Sequence, residues 1–320
     1  MIPDPLQAFA DWVTYSVLGL VQGSPLASSV NFFIYDSIKV TLLLAVIVFF
    51  VAIIRTFITP PKVKKWLGGR HEGVGNVLAA LLGIPTPFCS CSAVPLFIGF
   101  VESGIPLGIT FSFLVASPLI NEIAASMLFA LFGWQIALIY IVSGLVIAIV
   151  AGILIGRLNL EHEVEEFVYK VKLRDPAEAP MTWKERVAFG ISESKSITLK
   201  VLPYILIGIG IGAVIHGYAP ADFLVDFAGP GNPLAVPIAV IIGIPLYSNA
   251  AGMIPIIDVL TQKGMAIGTS LAFMMAVIGL SIPEMIILRK VIKLKLILIF
   301  AAILFLSFTF TGYLFNFLMG

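Results

Sequence analysis

Gly83-Ile84-Pro85-Thr86-Pro87-Phe88-Cys89-Ser90-Cys91-Ser92-Ala93-Val94-Pro95 is the stretch on which the fold turns. It holds both cysteines of the chain, and it lies inside an apolar run from Val77 to Val101. Pro85, Pro87 and Pro95 fall within eleven residues. Each proline removes a backbone donor and clashes with the preceding turn. In lipid, broken backbone is tolerated only where protein buries it or a cavity hydrates it. The stretch therefore reads as a helix interrupted at membrane depth, with thiols at Cys89 and Cys91 and hydroxyls at Thr86, Ser90 and Ser92. Transporters hold their cargo at interrupted helices of this kind.

The rest of the composition agrees. Of 320 residues, 59% are hydrophobic and 12% charged, against about a quarter charged in soluble domains. Several runs exceed the roughly 20 apolar residues that cross a bilayer. The chain reads as an all-α polytopic membrane protein. A net charge of +1 gives no sign of nucleic acid as a partner. The start, Met1-Ile2-Pro3-Asp4-Pro5, lacks the basic beginning of a signal peptide. No metal or cofactor is expected, although Cys89 and Cys91 are soft ligands if deprotonated.

Outward from the first break, residues 1–34 read as an N-terminal interfacial or short membrane segment. A clear span is expected from about Tyr35 to Ile58, stopped by Pro60 and Pro61. Further spans are expected over 107–132 and 134–155. Residues 157–195 form a polar loop in which Thr182-Trp183-Lys184-Glu185 matches a capping box. Spans follow at 196–218, 264–288 and 294–318. A second interrupted segment, 233–260, contains Gly243-Ile244-Pro245-Leu246-Tyr247-Ser248-Asn249-Ala250-Ala251-Gly252-Met253-Ile254-Pro255. Pro245 and Pro255 are its helix-breaking prolines.

A shift of 160 residues lays Pro60 on Pro220, Gly83 on Gly243, Pro85 on Pro245, Pro95 on Pro255, and Gly104 on Gly264. Proline pairs at one ungapped offset point to a duplication, with halves 35–156 and 196–320 about the loop 157–195. Lysine and arginine gather on the cytoplasmic side. The basic loops are 62–71, 157–195 and 289–295, whereas 219–232 carries Asp222 and Asp226 and no base. Passing from 62 to 157, both inside, requires an even number of crossings, yet three apolar segments intervene. The interrupted segment is then a re-entrant hairpin. Each half would hold three spans and one hairpin, in opposite topology, with the two tips near the midplane.

Residues two apart on a helix point about 200° away from each other. Cys89 and Cys91 share a ligand only where the backbone is irregular, and the prolines favour that. A thiol pair suits a thiophilic solute such as a trivalent arsenical. The plainer alternative is a small buried hydrophobe. The second tip offers Ser248 and Asn249, neutral groups that bind cargo or satisfy freed backbone. Asn121 and Glu122 fall inside the expected span 107–132. They are candidates for proton coupling or cargo contact, with a packing role as the alternative. Glu284 reads as half of an interfacial ion pair with Arg289. A membrane thiol redox protein served by a thioredoxin-like partner is the rival class. Redox pairs usually have two residues between the cysteines, which weighs against it.

Thr86-Pro87-Phe88-Cys89-Ser90-Cys91-Ser92, then Pro95-Leu96, Ala116-Ser117-Pro118-Leu119-Ile120-Asn121-Glu122 and Phe32-Phe33-Ile34-Tyr35-Asp36, resemble the predicted-permease family that includes the methylarsenite-efflux permeases (ArsP-like). The resemblance covers nearly the whole chain. It implies efflux of trivalent organoarsenicals across the inner membrane with Cys89 and Cys91 at the substrate site. The expected protein is a permease, not an enzyme. Its partners are a small-molecule substrate and the lipid bilayer, and self-association is left open.

Overall fold

The computed structural model describes residues 5–56, 73–84, 96–101, 104–165, 182–218, 228–229, 232–246, 248, 250–289 and 291–319. In chain order the helices are α1 (Pro5–Asp11), continued by a π-turn (Trp12–Val17), α2 (Pro25–Arg55), α3 (Val74–Gly83), α4 (96–101), α5 (Leu107–Leu119) and α6 (Glu122–Arg157). Then come α7 (Trp183–Tyr218), α8 (Ala235–Gly243), α9 (Ala250–Gln262), α10 (Ile267–Gly279), α11 (Ile282–Leu288) and α12 (Leu294–Met319). The protein is an all-α membrane protein. Among the helices long and apolar enough to cross a bilayer are α6 and α12.

Two expected spans are broken where the sequence looked continuous. The run 107–132 ends as a helix at Leu119, and α6 starts afresh at Glu122. Asn121 is its N-cap: its side chain accepts from the Ala124 amide at 2.7 Å and donates to the Pro118 carbonyl at 3.3 Å. A residue that can cap locally competes with the continuing helix. The run 264–288 breaks in the same way between Gly279 and Ile282. Gly133 separates two helices within α6, as expected: at φ 85° and ψ 170° its backbone is non-helical, a conformation open to glycine, and Gly144 returns beside Ile120 and Gly152 beside Gly108. Pro255 is a further correction. It was expected to break a helix, yet α9 runs through it. The lost bond and the crowding at the Ala251 carbonyl are offset by packing, since Met253, Ile254 and Ile257 are buried around it. The break lies earlier, at Ile244–Leu246, where Pro245 stands in a turn.

Helix starts and caps explain two other boundaries. α2 begins at Pro25, ten residues before the expected span. Proline suits the first helical position, and the Ser24 hydroxyl accepts from the Ala27 amide at 3.2 Å. The Thr182 capping box forms: the Thr182 amide donates to Glu185 Oε2 at 2.8 Å. The helix that the capping box announces is α7, and it continues for 36 residues without a break between the loop's end and the span expected at 196–218.

α5 and α10 are the centre of the fold. Both have 13 residues, and every residue of α5 is buried, as are all of α10 after Ile267. Thirteen residues span about 20 Å, short of the roughly 30 Å of hydrocarbon. The ends meet: a Cβ on Gly279 would lie 3.4 Å from a Leu119 methyl. α3 and α6 pack on α5, and α8 and α12 pack on α10. Small residues allow the close approach. A side chain on Gly108 would strike the Gly152 carbonyl, and one on Gly268 the Gly312 carbonyl. Buried polar pairs seal both crossings. Asn76 donates to Ser112 Oγ at 2.9 Å and to the Gly108 carbonyl at 3.1 Å. Asn316 donates to Thr269 Oγ1 at 3.0 Å.

α2 and α7 form a separate antiparallel pair. Phe33 lies against Gly210, and Gly190 against Phe49 and Ile53. Ser194 donates to the Ala45 carbonyl at 2.6 Å. The α1 segment docks on α2 through Gln7, Asp11, Thr14 and Asn31, leaving Phe9, Trp12, Val17 and Leu18 exposed. That distribution suits a membrane–water boundary, where amphipathic rings settle. At one end of the molecule Val164 pairs with Ile292, and Arg289 meets Glu165 at 3.0 Å. Arg289 thus has its partner on the loop side, and Glu284, expected at the interface, is instead buried, at 2% exposure.

Candidate functional site

The two helix breaks define the site. At the first, the Ile120 amide donates to the Ala116 carbonyl at 2.8 Å and closes α5. At the second, the Leu280 amide does the same to Ala276 at 2.9 Å. Each break holds the end of one short helix, α3 at the first and α8 at the second. A Cβ on Gly83 would lie 3.0 Å from Ala116 Cβ and from the Ser117 nitrogen. One on Gly243 would lie 2.9 Å from Ala276 Cβ and 3.1 Å from the Phe273 carbonyl. Glycine at these points lets α3 and α8 press on the central helices. The Ile282 amide donates to the Ile244 carbonyl at 2.8 Å, tying the second tip to the second break.

Chemistry at the breaks is uneven. Asn121 uses both ends of its amide on backbone. Ser281, at the matching place 160 residues on, is fully buried, and its hydroxyl has no hydrogen-bond partner among the described residues. Glu284 stands one turn further on. Ser248 is half-buried on the second tip. Glu122 is exposed on the first turn of α6, which overturns the expectation of a carboxylate enclosed by its span. The reason is the break itself, which puts Glu122 at a helix start rather than in a wall of helices.

The first tip, with Pro85, Thr86, Pro87, Cys89, Ser90, Cys91, Ser92 and Pro95, lies outside the described residues, as does Asn249. Its two ends do not: Gly83 seats on α5, and Phe97 and Phe100 of α4 stack on Phe111 and Phe113 at 5.2 and 5.1 Å between ring centres. Cys89 follows Gly83 by six residues. No cluster of histidine, cysteine, aspartate or glutamate able to hold a metal occurs among the described residues. Ser281, Glu284 and Asp36 escaped the sequence reading as site candidates. The one signal for the first was the alignment of Ser281 with Asn121.

Short helices broken at a common centre, beside long apolar ones, define an all-α membrane protein. Residues 25–317 match the predicted-permease family ArsP_1, and the chain belongs to that family. It is similar to UPF0718 protein MJ0584 of Methanocaldococcus jannaschii, 23% identical over 88% of this chain and 93% of the relative. UPF0718 protein YraQ of Escherichia coli is 23% identical over 76% of this chain and 68% of its own length. A Streptococcus mutans protein named as a putative two-component membrane permease complex subunit is 25% identical over 57% of this chain and 59% of its own. No solved structure matches. As a permease the protein is a multi-pass component of the inner membrane, with a small-molecule substrate.

Proposed function

We propose that this permease exports a small thiophilic solute, a trivalent organoarsenical such as methylarsenite, held by Cys89 and Cys91 between two re-entrant tips. The observation that carries this is the seating of Gly83 at the break of α5, six residues before the first thiol. A tip anchored there has its cysteines within reach of the point where Leu119 meets Gly279. Thiolates are soft ligands and bind trivalent arsenic through two As–S bonds in exchange for hydroxides. Thr86, Ser90 and Ser92 on one tip and Ser248 and Asn249 on the other supply neutral polar contacts. The accessible carboxylate of Glu122 contacts the cargo at the same level. Asn121 holds the break open as its cap. The test is resistance: cells stripped of their own arsenical exporters should survive methylarsenite when they make this protein. Survival no better than the empty vector ends the arsenical reading.

We also infer that the halves are inverted repeats. Element bounds recur at a shift of 160, with α5 on α10 residue for residue. α2 and α7, the corresponding first helices of the halves, run antiparallel. Single cysteines at positions 66, 175 and 292, in a variant with the native thiols replaced, should label from the cytoplasm. One at 226 should label from outside. Positions 66 and 175 on opposite faces would remove the re-entrant hairpin and the inversion together.

A further inference from the structure

We propose that Asp36 is the carboxylate that carries the coupled proton, driving export by proton uptake from outside. This rests on the export reading above. Asp36 lies in the 31-residue apolar helix α2, where acids are expensive and usually functional. Residues three and four apart share a helix face. Phe32, Phe33 and Val40 stand at those spacings from Asp36, and all three pack into the main hydrophobic cluster. Asp36 thus belongs to the face that α2 buries, where Phe33 meets Gly210 of α7, and it is half-buried there. The adjacent Ser37 is buried, and its hydroxyl has no partner among the described residues.

The carboxylate is not committed to holding the fold. Lys39 is near enough to act on it through its charge, but no hydrogen bond or ion pair among the described residues engages it. Lys39, the neighbouring cation on α2, turns to Tyr35: its Nζ donates to Tyr35 Oη at 2.8 Å and sits 4.7 Å from the ring centre. On α7 the charged side chains among the described residues are Lys184, Glu185, Arg186 and Lys195. They lie toward the other end of the pair, where Ser194 meets Ala45 and Arg186 meets Thr56. In the α1 segment, Asp11 is held by Gln7 and Asn31, and Tyr15 lies on the π-turn that follows.

Asp36 sits five residues past Asn31, about 7 Å further along the helix. With the α1 segment marking the outer boundary, that depth admits protons from outside. The helix pair is the part least bound to the rest. Among the described elements it meets the core chiefly at α11. α5 and α10 are instead enclosed by both halves. Movement of the pair against the core, passed on to the contact between α2 and α7, changes what Asp36 faces. Uptake of one proton neutralises the carboxylate, so its face of α2 can close on apolar surface. Loss of that proton to the cytoplasm restores the charge and resets that contact.

The test uses full-length protein in liposomes with an imposed pH gradient and methylarsenite as probe. Asp36→Asn should lose gradient-driven accumulation, falling to the level without a gradient. It should keep methylarsenite exchange at equal pH on both sides, and Asp36→Glu should recover accumulation. Uphill transport by Asp36→Asn at the wild-type level overturns the proposal. So does loss of exchange and accumulation together in a folded variant. A second readout needs no cargo. Infrared difference spectra across a pH titration should contain a carboxylic-acid band that Asp36→Asn removes, and an unchanged band refutes the assignment. If wild type moves no methylarsenite, the cargo reading falls and the infrared band still decides Asp36.

Discussion

Replacing Cys89 and Cys91 together by serine is expected to return methylarsenite resistance to that of cells without the protein. Serine keeps the size and the hydrogen-bonding capacity of each side chain. It removes only the soft ligand, since a hydroxyl does not compete with a thiolate for a thiophilic centre. Membrane level and melting temperature should stay near wild type, which separates ligand loss from misfolding. Single replacements should each lose most of the activity, because two bonds to arsenic require both thiols. Wild-type protein should bind cargo with both thiols reduced. A stable Cys89–Cys91 disulfide turned over by a thioredoxin-like partner would instead favour redox chemistry. Undiminished resistance in the double variant would place the cargo elsewhere.

The second large effect falls on packing. A Cβ on Gly268 would strike the Gly312 carbonyl and lie 2.6 Å from the Asn316 nitrogen. Both obstacles are backbone of α12, which cannot turn aside as a side chain can. Forced overpacking of this kind costs about 1–3 kcal/mol. Gly268→Ala should therefore lower the unfolding temperature of the purified protein, and Gly268→Val should fail to fold. Gly210→Ala is the comparison, since its Cβ would meet Phe33 at an ordinary 3.7 Å. Equal melting of Gly268→Ala and Gly210→Ala would mean that α10 and α12 do not approach as described.

Much of this architecture was legible in the chain. The hydrophobic runs announced membrane spans, and Pro245 with Gly243 announced the second break. The capping box at Thr182 was read correctly because its two partners are local. The breaks after Leu119 and Gly279 were not seen, for a physical reason. A buried helix end in an apolar run leaves no polar signature, because its carbonyls and caps are met by neighbouring protein rather than by water. Asn121 looked like an intramembrane polar residue when it is a cap. Pro255 misled in the opposite sense. Proline is a strong punctuation mark, yet burial of the turn around it can outweigh the one bond it removes. Asp36 drew notice only as part of a resemblance. Its facing toward the core follows from Phe32, Phe33 and Val40, whose burial a sequence cannot display.

The shortness of α5 and α10 bears on how the protein reaches its membrane. Each has 13 residues, and the span that each opens is broken by backbone that lipid cannot satisfy. A nascent α5 leaving the ribosome has no stable place in the bilayer until α6 arrives to cover Gly108 and Ser112. α10 must likewise wait for α12, the last helix made. Integration of the central helices is thus an event of assembly between neighbours, completed only when synthesis ends. Chains cut short before Leu294 should be held as clients of the insertion machinery and its proteases, not as stable half-transporters.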